Sequence, residues 1–197
     1  MDLSKARSPN ARDTIIEAAT ELIRVHGVVG MSISELIATS GTSAGAIYHH
    51  FGSKEGLVLE IGRNAVSAPM AMLLRTTPGL SPVDLFEAAL AQVAQDERTP
   101  ELLLQVWAGA KSDPLLSTLV QQEAAAMRAA VRSVMAAWCA EHSPDTDPDN
   151  LVDVTLGLVM GYAVQRALAL IGDPDAYREL GARLLTAALE TGATHVT

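Results

Sequence analysis

The sequence contains little cysteine and few aromatic residues, and it has no long apolar run. Its single cysteine, Cys139, excludes an intrachain disulfide and is typical of a protein in a reducing compartment. Two Phe, two Trp and three Tyr are its only aromatics, and an apolar content dominated by Ala, Leu and Val favours helices over strands. No run reaches the roughly 18 apolar residues of a membrane span, and the polar start does not resemble a signal peptide. We expect a soluble, cytoplasmic helical protein that does not enter a membrane.

Positive charge is scarce as well, but only in part of the chain. Lys and Arg number 14 against 23 Asp and Glu, a net charge of −9, which excludes a protein that binds nucleic acid over its whole surface. Residues 1–54 carry five bases and five acids, so the whole excess of acid lies in 55–197, and no acid occurs between Leu36 and Lys54. Since salt screens charges more than about 8 Å apart, a polyanion can still approach the first quarter of the chain.

Capping residues divide the first sixty positions into three short helices. Residues 10–26 have helical apolar spacing and stop at Gly27. Ser32 and Glu35 form the sequence of a capping box, which begins a second helix that ends at Gly41. Ser43 can cap a third helix through Phe51. Three helices with a tight glycine-containing turn before the last one indicate a helix-turn-helix.

The rest of the chain is predicted to be helical too. Ser53 can cap a helix from Lys54 to about Leu74, which Pro69 should kink or split. Five further helices are each predicted from a potential N-cap residue followed by proline: Ser81-Pro82, Thr99-Pro100, Asp113-Pro114, Asp147-Pro148 and Asp173-Pro174. They are expected at 83–95, 101–110, 115–141, 151–171 and 175–190. The fold class is therefore all-α, with about nine helices and no strand.

The third predicted helix separates small and polar residues from apolar ones. Ile47 and Phe51 share one face and should pack inward, whereas Ala44 and Gly45 lie on other faces. Small residues let a helix approach base edges, and flanking donors can bind phosphate oxygens; those donors are Thr42, Ser43, Tyr48, His49 and Lys54. The alternative is an ordinary amphipathic helix whose polar face meets only water.

The stretch Gly41–Leu57 closely resembles the signature of TetR-family transcriptional regulators. Its turn glycine, its Tyr-x-His-Phe and its Ser-Lys-Glu fall in register, and residues 15–18, Gly27 and 32–38 match as well. The resemblance is specific over residues 10–57, whereas the remainder agrees only in length and helix count. It implies a DNA-binding domain at 1–53 and a ligand-binding and dimerisation domain at 54–197.

The resemblance also implies roles for single residues at the DNA. Ser32 and Ser34 would approach from the second helix; Thr42, Ala44 and Gly45 would face bases; Tyr48, His50 and Lys54 would hold phosphates. Helical periodicity instead turns His49 outward, so His49 stays a candidate base contact and Ser43 a phosphate donor. The complete set is Ser32, Ser34, Thr42, Ser43, Ala44, Gly45, Tyr48, His49, His50 and Lys54.

The last two predicted helices are the candidate dimer interface. The resemblance implies a homodimer through 151–171 and 174–191, and residues 151–171 are apolar nearly all round, so that helix must be covered on most sides. Gly157 and Gly161 would let another helix approach. A two-fold dimer places two recognition helices ~34–36 Å apart on double-stranded operator DNA with a palindromic sequence. The alternative is burial within a monomeric bundle.

A small-molecule effector is expected in the larger domain. Its candidate contacts are apolar residues that adapt to ligands: Met70, Leu74, Phe86, Leu90, Leu103, Trp107, Met127, Val131 and Met135. Few charged residues interrupt the apolar stripes of the fifth to seventh predicted helices, which favours an apolar or aromatic effector. Ordinary core packing is the alternative at each position.

No motif indicates catalysis, a cofactor or a metal. Asp145, Asp147 and Asp149 begin like a calcium loop, but Asn150 and Leu156 stand where that loop needs Gly and Glu. Cys139 and His142 have no second pair to complete a zinc site. We expect a homodimeric transcriptional regulator, most simply a repressor released by its effector, and no enzyme. The alternative is a helical small-molecule-binding protein or adaptor with a vestigial helix-turn-helix.

Overall fold

The computed structural model describes residues 10–77, 79–95 and 98–192, and every regular element in these ranges is helical. The elements are α1 (Ala11–Gly30), α2 (Ile33–Ser40), α3 (Ala44–Phe51), α4 (Lys54–Gly62), a π-helical turn (Arg63–Ser67), α5 (Ala68–Thr76), α6 (Pro82–Ala94), α7 (Arg98–Ser112), α8 (Pro114–His142), α9 (Pro148–Ala167) and α10 (Pro174–Gly192). Counting Lys54–Thr76 as one interrupted helix gives nine in the described ranges, which confirms the predicted all-α fold.

The described residues form two compact units that interleave along the chain. The N-terminal unit combines residues 10–63 with 105–120, and the C-terminal unit combines the described part of 64–104 with 121–192. The end of α7 and the start of α8 therefore fold with the first three helices and α4. The predicted boundary between residues 53 and 54 separates two expected functions, whereas these units are defined by packing. The boundary therefore stays a prediction.

Side-chain caps begin the short helices where the sequence predicts them. The hydroxyl of Ser43 accepts a hydrogen bond from the Ala46 amide at 3.1 Å, and that of Ser53 accepts one from the Gly56 amide at 3.0 Å. Each cap satisfies an amide that has no partner within its helix. These caps fix where α3 and α4 begin, and thereby which residues reach the surface.

At the start of α2, only one of the two hydrogen bonds of the predicted capping box is present. The Ser32 hydroxyl accepts from the Glu35 amide at 3.1 Å, as expected. The Glu35 carboxylate, however, lies 3.4 Å from Nε2 of His26 near the end of α1, so it pairs with a neighbouring helix instead of returning to the Ser32 amide. That part of the prediction was wrong, because an acceptor near a helix end can be used by any nearby donor.

The first helix is interrupted at the predicted glycine. Gly27 has φ +71° and ψ 169°, a backbone conformation that residues with a Cβ adopt only under strain. Its carbonyl still accepts from the Met31 amide at 3.1 Å. The regular part of α1 therefore ends at Gly27, and a short helical turn leads to α2.

The core of the N-terminal unit is small and fully apolar. Its completely buried members come from α1, α2, α3, α4 and the start of α8: Ile15, Ala19, Ile23, Leu36, Ile47, Leu57, Val58 and Leu116. Burying each large side chain contributes about 1.5–3 kcal/mol. Since Ile47 is one of them, the inward face of α3 is the predicted one, and the opposite face is available for contacts outside the unit.

The capping-residue–proline pairs are confirmed at four of five places. In α6, the Ser81 hydroxyl accepts from the Asp84 amide at 3.0 Å and the Asp84 carboxylate accepts from the Ser81 amide at 3.2 Å. Carboxylates of Asp113, Asp147 and Asp173 likewise accept from amides of their helices. Thr99 is the exception: α7 already begins at Arg98, so Thr99 is helical rather than a cap.

The break in the helix after Lys54 lies before Pro69 rather than at it. The turn from Arg63 to Ser67 is π-helical, and Pro69 occupies the first turn of α5. Proline has no amide hydrogen, and its ring clashes with the carbonyl four residues earlier. That clash disturbs the preceding turn, which widens to a π turn. The ninth helix also differs, because it ends at Ala167 rather than near residue 171.

The C-terminal unit packs α6, α8, α9 and α10 around one core. Phe86 is completely buried, and the ring occupies the space that a Cβ at Gly181 would need. At the surface, Arg128 and Arg132 of α8 donate to the Asp149 carboxylate of α9. These hydrogen bonds lower the pKa of Asp149 and hold the two helices together.

Candidate nucleic-acid interface

The residues predicted to bind DNA lie close together along the chain of the N-terminal unit, between residues 32 and 54. They occupy α2, α3, the turn between them and the start of α4. Seven are exposed and three are half-buried (Thr42, Ala44 and Lys54); the exposed ones are Ser32, Ser34, Ser43, Gly45, Tyr48, His49 and His50. We call this set the α2–α3 face. Since every member is at least partly exposed, all of them are accessible to a large ligand, although contact with DNA stays a prediction.

Several hydroxyl groups of the α2–α3 face also stabilise its backbone. The oxygens of Ser32 and Ser34 lie 3.2 Å apart, and those of Ser40 and Thr42 lie 2.8 Å apart. Ser43 is the cap of α3. These hydroxyls can accept and donate at once, so their structural bonds leave capacity for a phosphate oxygen or a base edge.

Two glycines near the turn are present for different reasons. At Gly56, a Cβ would collide with the Phe51 carbonyl, so the close passage of α3 and α4 requires glycine. At Gly45, a Cβ would meet only the Ser43 hydroxyl at an ordinary 3.8 Å. Glycine in a helix destabilises it by about 0.5–1 kcal/mol relative to alanine. Packing inside the chain therefore does not account for Gly45, whereas an approaching ligand would.

The two histidines near the end of α3 are both accessible. His49 and His50 are both exposed, and their rings meet edge to face with centroids 5.3 Å apart. His50 also lies 6.0 Å from the Phe51 ring. Both the role implied by the resemblance for His50 and the one that periodicity gives His49 are sterically open, and both stay predictions.

Arg12 supports the α2–α3 face and was missed by sequence reasoning. Its guanidinium lies 5.7 Å from the centre of the Phe51 ring and pairs with the carboxylate of Glu60. The side chain thus connects α1 to the end of α3 and to α4. Local sequence patterns cannot reveal such a contact, because its partners are distant along the chain.

A cleft of about 190 Å³ lies beside Lys54 within the N-terminal unit. Its lining residues come from the end of α1, the start of α4 and the segment 105–120: Val28, Val29, Lys54, Glu55, Val58, Gly109, Ser112, Asp113 and Leu116. A Cβ at Gly109 would come within 2.7 Å of Val28, so the α7 backbone approaches α1 closely there. Sequence reasoning did not predict this cleft.

The candidate effector contacts mostly join one core. Phe86, Leu90, Val131 and Met135 are buried in the core of the C-terminal unit, and Met70, Leu74 and Met127 pack against it. Leu103 is half-buried, and the half-buried Trp107 lies in the segment that folds with the N-terminal unit. Whether any of them binds a ligand stays a prediction.

The candidate dimer helices expose large apolar side chains. Relative exposure is 52% at Val154, 56% at Leu180 and 54% at Leu184. Gly157 has open space around it, as an approaching helix would need, whereas Gly161 accommodates the Tyr177 hydroxyl of the same chain. We call the exposed residues of α9 and α10 the α9–α10 face.

Within residues 10–77, 79–95 and 98–192, no group of three or more His, Cys, Asp or Glu side chains could hold a metal ion. In the same ranges one helix, Lys54–Thr76, is long and apolar enough to cross a membrane by length and composition alone. That is weak evidence for a membrane protein, because core helices of soluble proteins meet the same criterion.

The N-terminal segment that contains the α2–α3 face is similar to a known protein family. Residues 15–61 match the sequence profile of the bacterial regulatory proteins of the tetR family. The transcriptional repressor AcnR of Corynebacterium glutamicum is 43% identical over 54 residues, which are 27% of this chain and 29% of that protein. The alignment thus spans less than a third of the length of that relative.

Similarity in fold extends over nearly the whole chain. NalD of Pseudomonas aeruginosa, the secondary repressor of the MexAB-OprM multidrug efflux pump, has a TM-score of 0.72 at 22% identity and covers 90% of this chain and 95% of its own. A transcriptional regulator from Saccharomonospora viridis in complex with choline has a TM-score of 0.69 at 21% identity, with 89% and 95% covered. Residues 15–61 thus match the tetR family of bacterial regulatory proteins, and over the rest of the chain the similarity is one of fold.

Proposed function

We propose that the protein is a cytoplasmic transcriptional repressor that binds a palindromic operator as a homodimer and releases it when a small effector binds. The observation that carries the proposal is Gly45, an exposed helical glycine for which the chain itself gives no packing reason. It lies between potential phosphate donors, on the side of α3 opposite the buried Ile47. A recognition helix in the major groove has this arrangement.

Within the α2–α3 face, position on the helix divides the expected roles. Ala44 and Gly45 occupy the first turn of α3, where a recognition helix meets base edges. Tyr48 and His50 follow toward the end of the helix, and Lys54 begins α4, so their polar groups can bind phosphates on either side. The amide groups at the start of α3 add a positive dipole that favours phosphate.

The α9–α10 face supports the homodimer. Exposed leucines at 180 and 184 follow one another by one helical turn, and Val154 of α9 is exposed as well. Contiguous exposed apolar surface on a soluble protein indicates an interface. A second copy of the same chain covers such a face by two-fold symmetry, and the symmetry in turn gives two α2–α3 faces for two operator half-sites.

The core of the C-terminal unit supports an apolar or aromatic effector. Met70 and Met127 pack at its edge and Met135 lies within it, and methionine adapts to ligands of different shape. NalD represses a multidrug efflux pump, and the regulator from S. viridis was solved with choline, so small molecules are relevant to proteins of this fold. The effector can release DNA only if it binds one conformation of the dimer more tightly than the other.

Footprinting tests the proposal directly. The purified full-length protein should protect an inverted repeat in the intergenic DNA beside its own gene, with half-sites about one helical turn apart. DNA of the same composition in scrambled order is the control. The absence of any protected repeat, combined with binding of small molecules, would support the alternative of a helical binding protein whose helix-turn-helix is vestigial.

A further inference from the structure

Two buried polar atoms lack partners, and both lie on the same helix. Within the ranges that the structure describes, the only buried side-chain nitrogen or oxygen atoms without a hydrogen-bond partner are Oγ1 of Thr155 and Nε of Arg166. Both residues belong to α9, and eleven residues make about three turns, so the two side chains share one face. That face points inward, because Thr155 is only 2% exposed and Tyr162, between them, only 3%.

The surroundings of Arg166 are aromatic rather than acidic. Its guanidinium lies 5.9 Å from the centre of the Tyr162 ring, which in turn lies 5.3 Å from the Tyr177 ring. The Tyr177 hydroxyl donates to the Leu158 carbonyl at 2.8 Å, which fixes that ring. Tyr162 is thus held between α10 and the guanidinium, and the position of Arg166 is defined.

Arg166 differs from the paired arginines of the chain. Arg128 pairs with Asp149 and Arg178 with Glu87, whereas no acidic side chain pairs with Arg166 in the part of the chain that the structure describes. The guanidinium keeps its charge at every physiological pH. A half-buried, permanent cation without a counterion is unusual in a chain whose net charge is −9.

The missing partner has a definite chemistry. A buried donor without an acceptor is unfavourable, and an acceptor that reaches it recovers the loss. A carboxylate fits best, since it accepts from Nε and a terminal nitrogen of one guanidinium together. A quaternary ammonium ion would instead be repelled by the charge. The site therefore selects an anion and excludes ligands whose only charged group is cationic.

We propose that Arg166 binds the carboxylate of the effector, and that the apolar body of the effector lies along α9 toward Thr155. This rests on the proposed function, in which an effector enters the C-terminal unit. Residues 155 and 166 are about 16 Å apart along the helix axis, and the arginine side chain reaches back toward Thr155. The effector class is accordingly an elongated aryl- or alkylcarboxylate, with a second polar group opposite Thr155.

Matched acids and amides test the charge requirement. The probes are phenylacetate to 6-phenylhexanoate, each compared with its primary amide, titrated calorimetrically into the full-length protein. We expect at least one acid to bind about tenfold more tightly than its amide. Arg166→Gln should abolish this preference and Arg166→Lys should reduce it. Arg75→Gln, which removes an exposed arginine from the same unit, is the matched control and should leave the preference unchanged.

The Thr155 part of the proposal has its own test. Because its hydroxyl has no partner in the free protein, Thr155→Val should raise the melting temperature of the unliganded protein. Thr155→Ser keeps the hydroxyl and should not. A lower melting temperature for Thr155→Val would show that the hydroxyl is already bonded, and would remove Thr155 from the site.

Three outcomes would overturn the role of Arg166: no probe binds, every amide binds as tightly as its acid, or the preference survives Arg166→Gln. If Arg166→Gln does not fold, Arg166→Lys decides the question. Operator binding without probe separates this proposal from the proposed function. Arg75→Gln should bind operator like the unmodified protein, whereas failure of every form to bind DNA would reject the repressor and leave the acid preference as an independent result.

Discussion

The two compact units expose different kinds of residue on the surfaces that are proposed to meet partners. The α2–α3 face presents hydroxyls, imidazoles and the open Gly45, while the apolar Ile47 beneath it is fully buried. The α9–α10 face does the reverse, because it exposes Leu180 and Leu184 while Thr155 is buried without a partner. A polyanion fits the first arrangement and an apolar surface fits the second. The two proposed interfaces thus have opposite chemistry.

Charging the α9–α10 face gives the largest expected effect. Leu180→Glu together with Leu184→Glu should yield folded monomers, because carboxylates cannot be buried in an apolar interface. Operator affinity should fall at least about a hundredfold, since binding through two linked sites is lost. Light scattering measures the mass, and fluorescence anisotropy with operator DNA measures the affinity.

Leu115→Glu is the matched control for the charged pair. Leu115 is 53% exposed, like the two leucines, but it lies at the start of α8 in the N-terminal unit. It should leave the dimer intact. A double variant that remains dimeric and binds operator normally would show that the α9–α10 face does not hold the dimer.

Each unit also contains a glycine on which its packing depends. Gly181→Ala should disturb the core of the C-terminal unit at Phe86, and Gly56→Ala should push α4 away from the Phe51 carbonyl. Both substitutions should lower the free energy of unfolding by about 1–3 kcal/mol. Denaturant titration measures this loss, and hydrogen exchange should assign each loss to its own unit.

Gly62→Ala provides the comparison for both glycine variants. A Cβ at Gly62 meets nothing within 4 Å, so the substitution should be neutral or slightly stabilising. If Gly56→Ala and Gly181→Ala are equally well tolerated, the close approaches do not govern packing in either unit.

The two units also differ in how far the sequence predicts them. In the N-terminal unit, the hydroxyl caps Ser43 and Ser53 and the stop at Gly27 are local signals, and all three are confirmed. Arg12 was missed because its partners are distant along the chain. In the C-terminal unit, helix existence was predicted from caps, but the π turn before Pro69 was not. The lack of a hydrogen-bond partner at Nε of Arg166 depends on tertiary packing. No local sequence pattern reveals such packing.

Lys54 tests the electrostatic part of the DNA contact. Lys54→Ala should weaken operator binding and reduce the slope of log affinity against log salt by about 1, since one phosphate contact is lost. Lys111→Ala removes an exposed lysine from the same unit and is the control. An unchanged slope for Lys54→Ala would exclude a phosphate contact at this residue.

Tyr48→Phe tests a contact without charge. Loss of the hydroxyl should weaken operator binding about tenfold, which corresponds to one hydrogen bond from a neutral donor to an ionised acceptor, and should leave the salt slope unchanged because the hydroxyl carries no charge. Tyr48 is 49% exposed, so the fold should not depend on its hydroxyl. Equal affinity of the variant would remove Tyr48 from the phosphate donors, while a loss of stability would indicate a structural role instead.

Gly45→Ala should give the smallest change. It best distinguishes a glycine that the fold requires from one that bound DNA requires. A methyl group there has room within the chain, so the variant should be more stable by about 0.5–1 kcal/mol. If α3 approaches base edges at this position, the same methyl group should weaken operator binding, so stability and affinity change in opposite directions. Gly62→Ala separates the two causes, because it adds a methyl group at a residue that is not part of the α2–α3 face. Higher stability of Gly45→Ala with unchanged affinity would mean that no base lies close to residue 45, and recognition would then have to come from the other residues of the α2–α3 face.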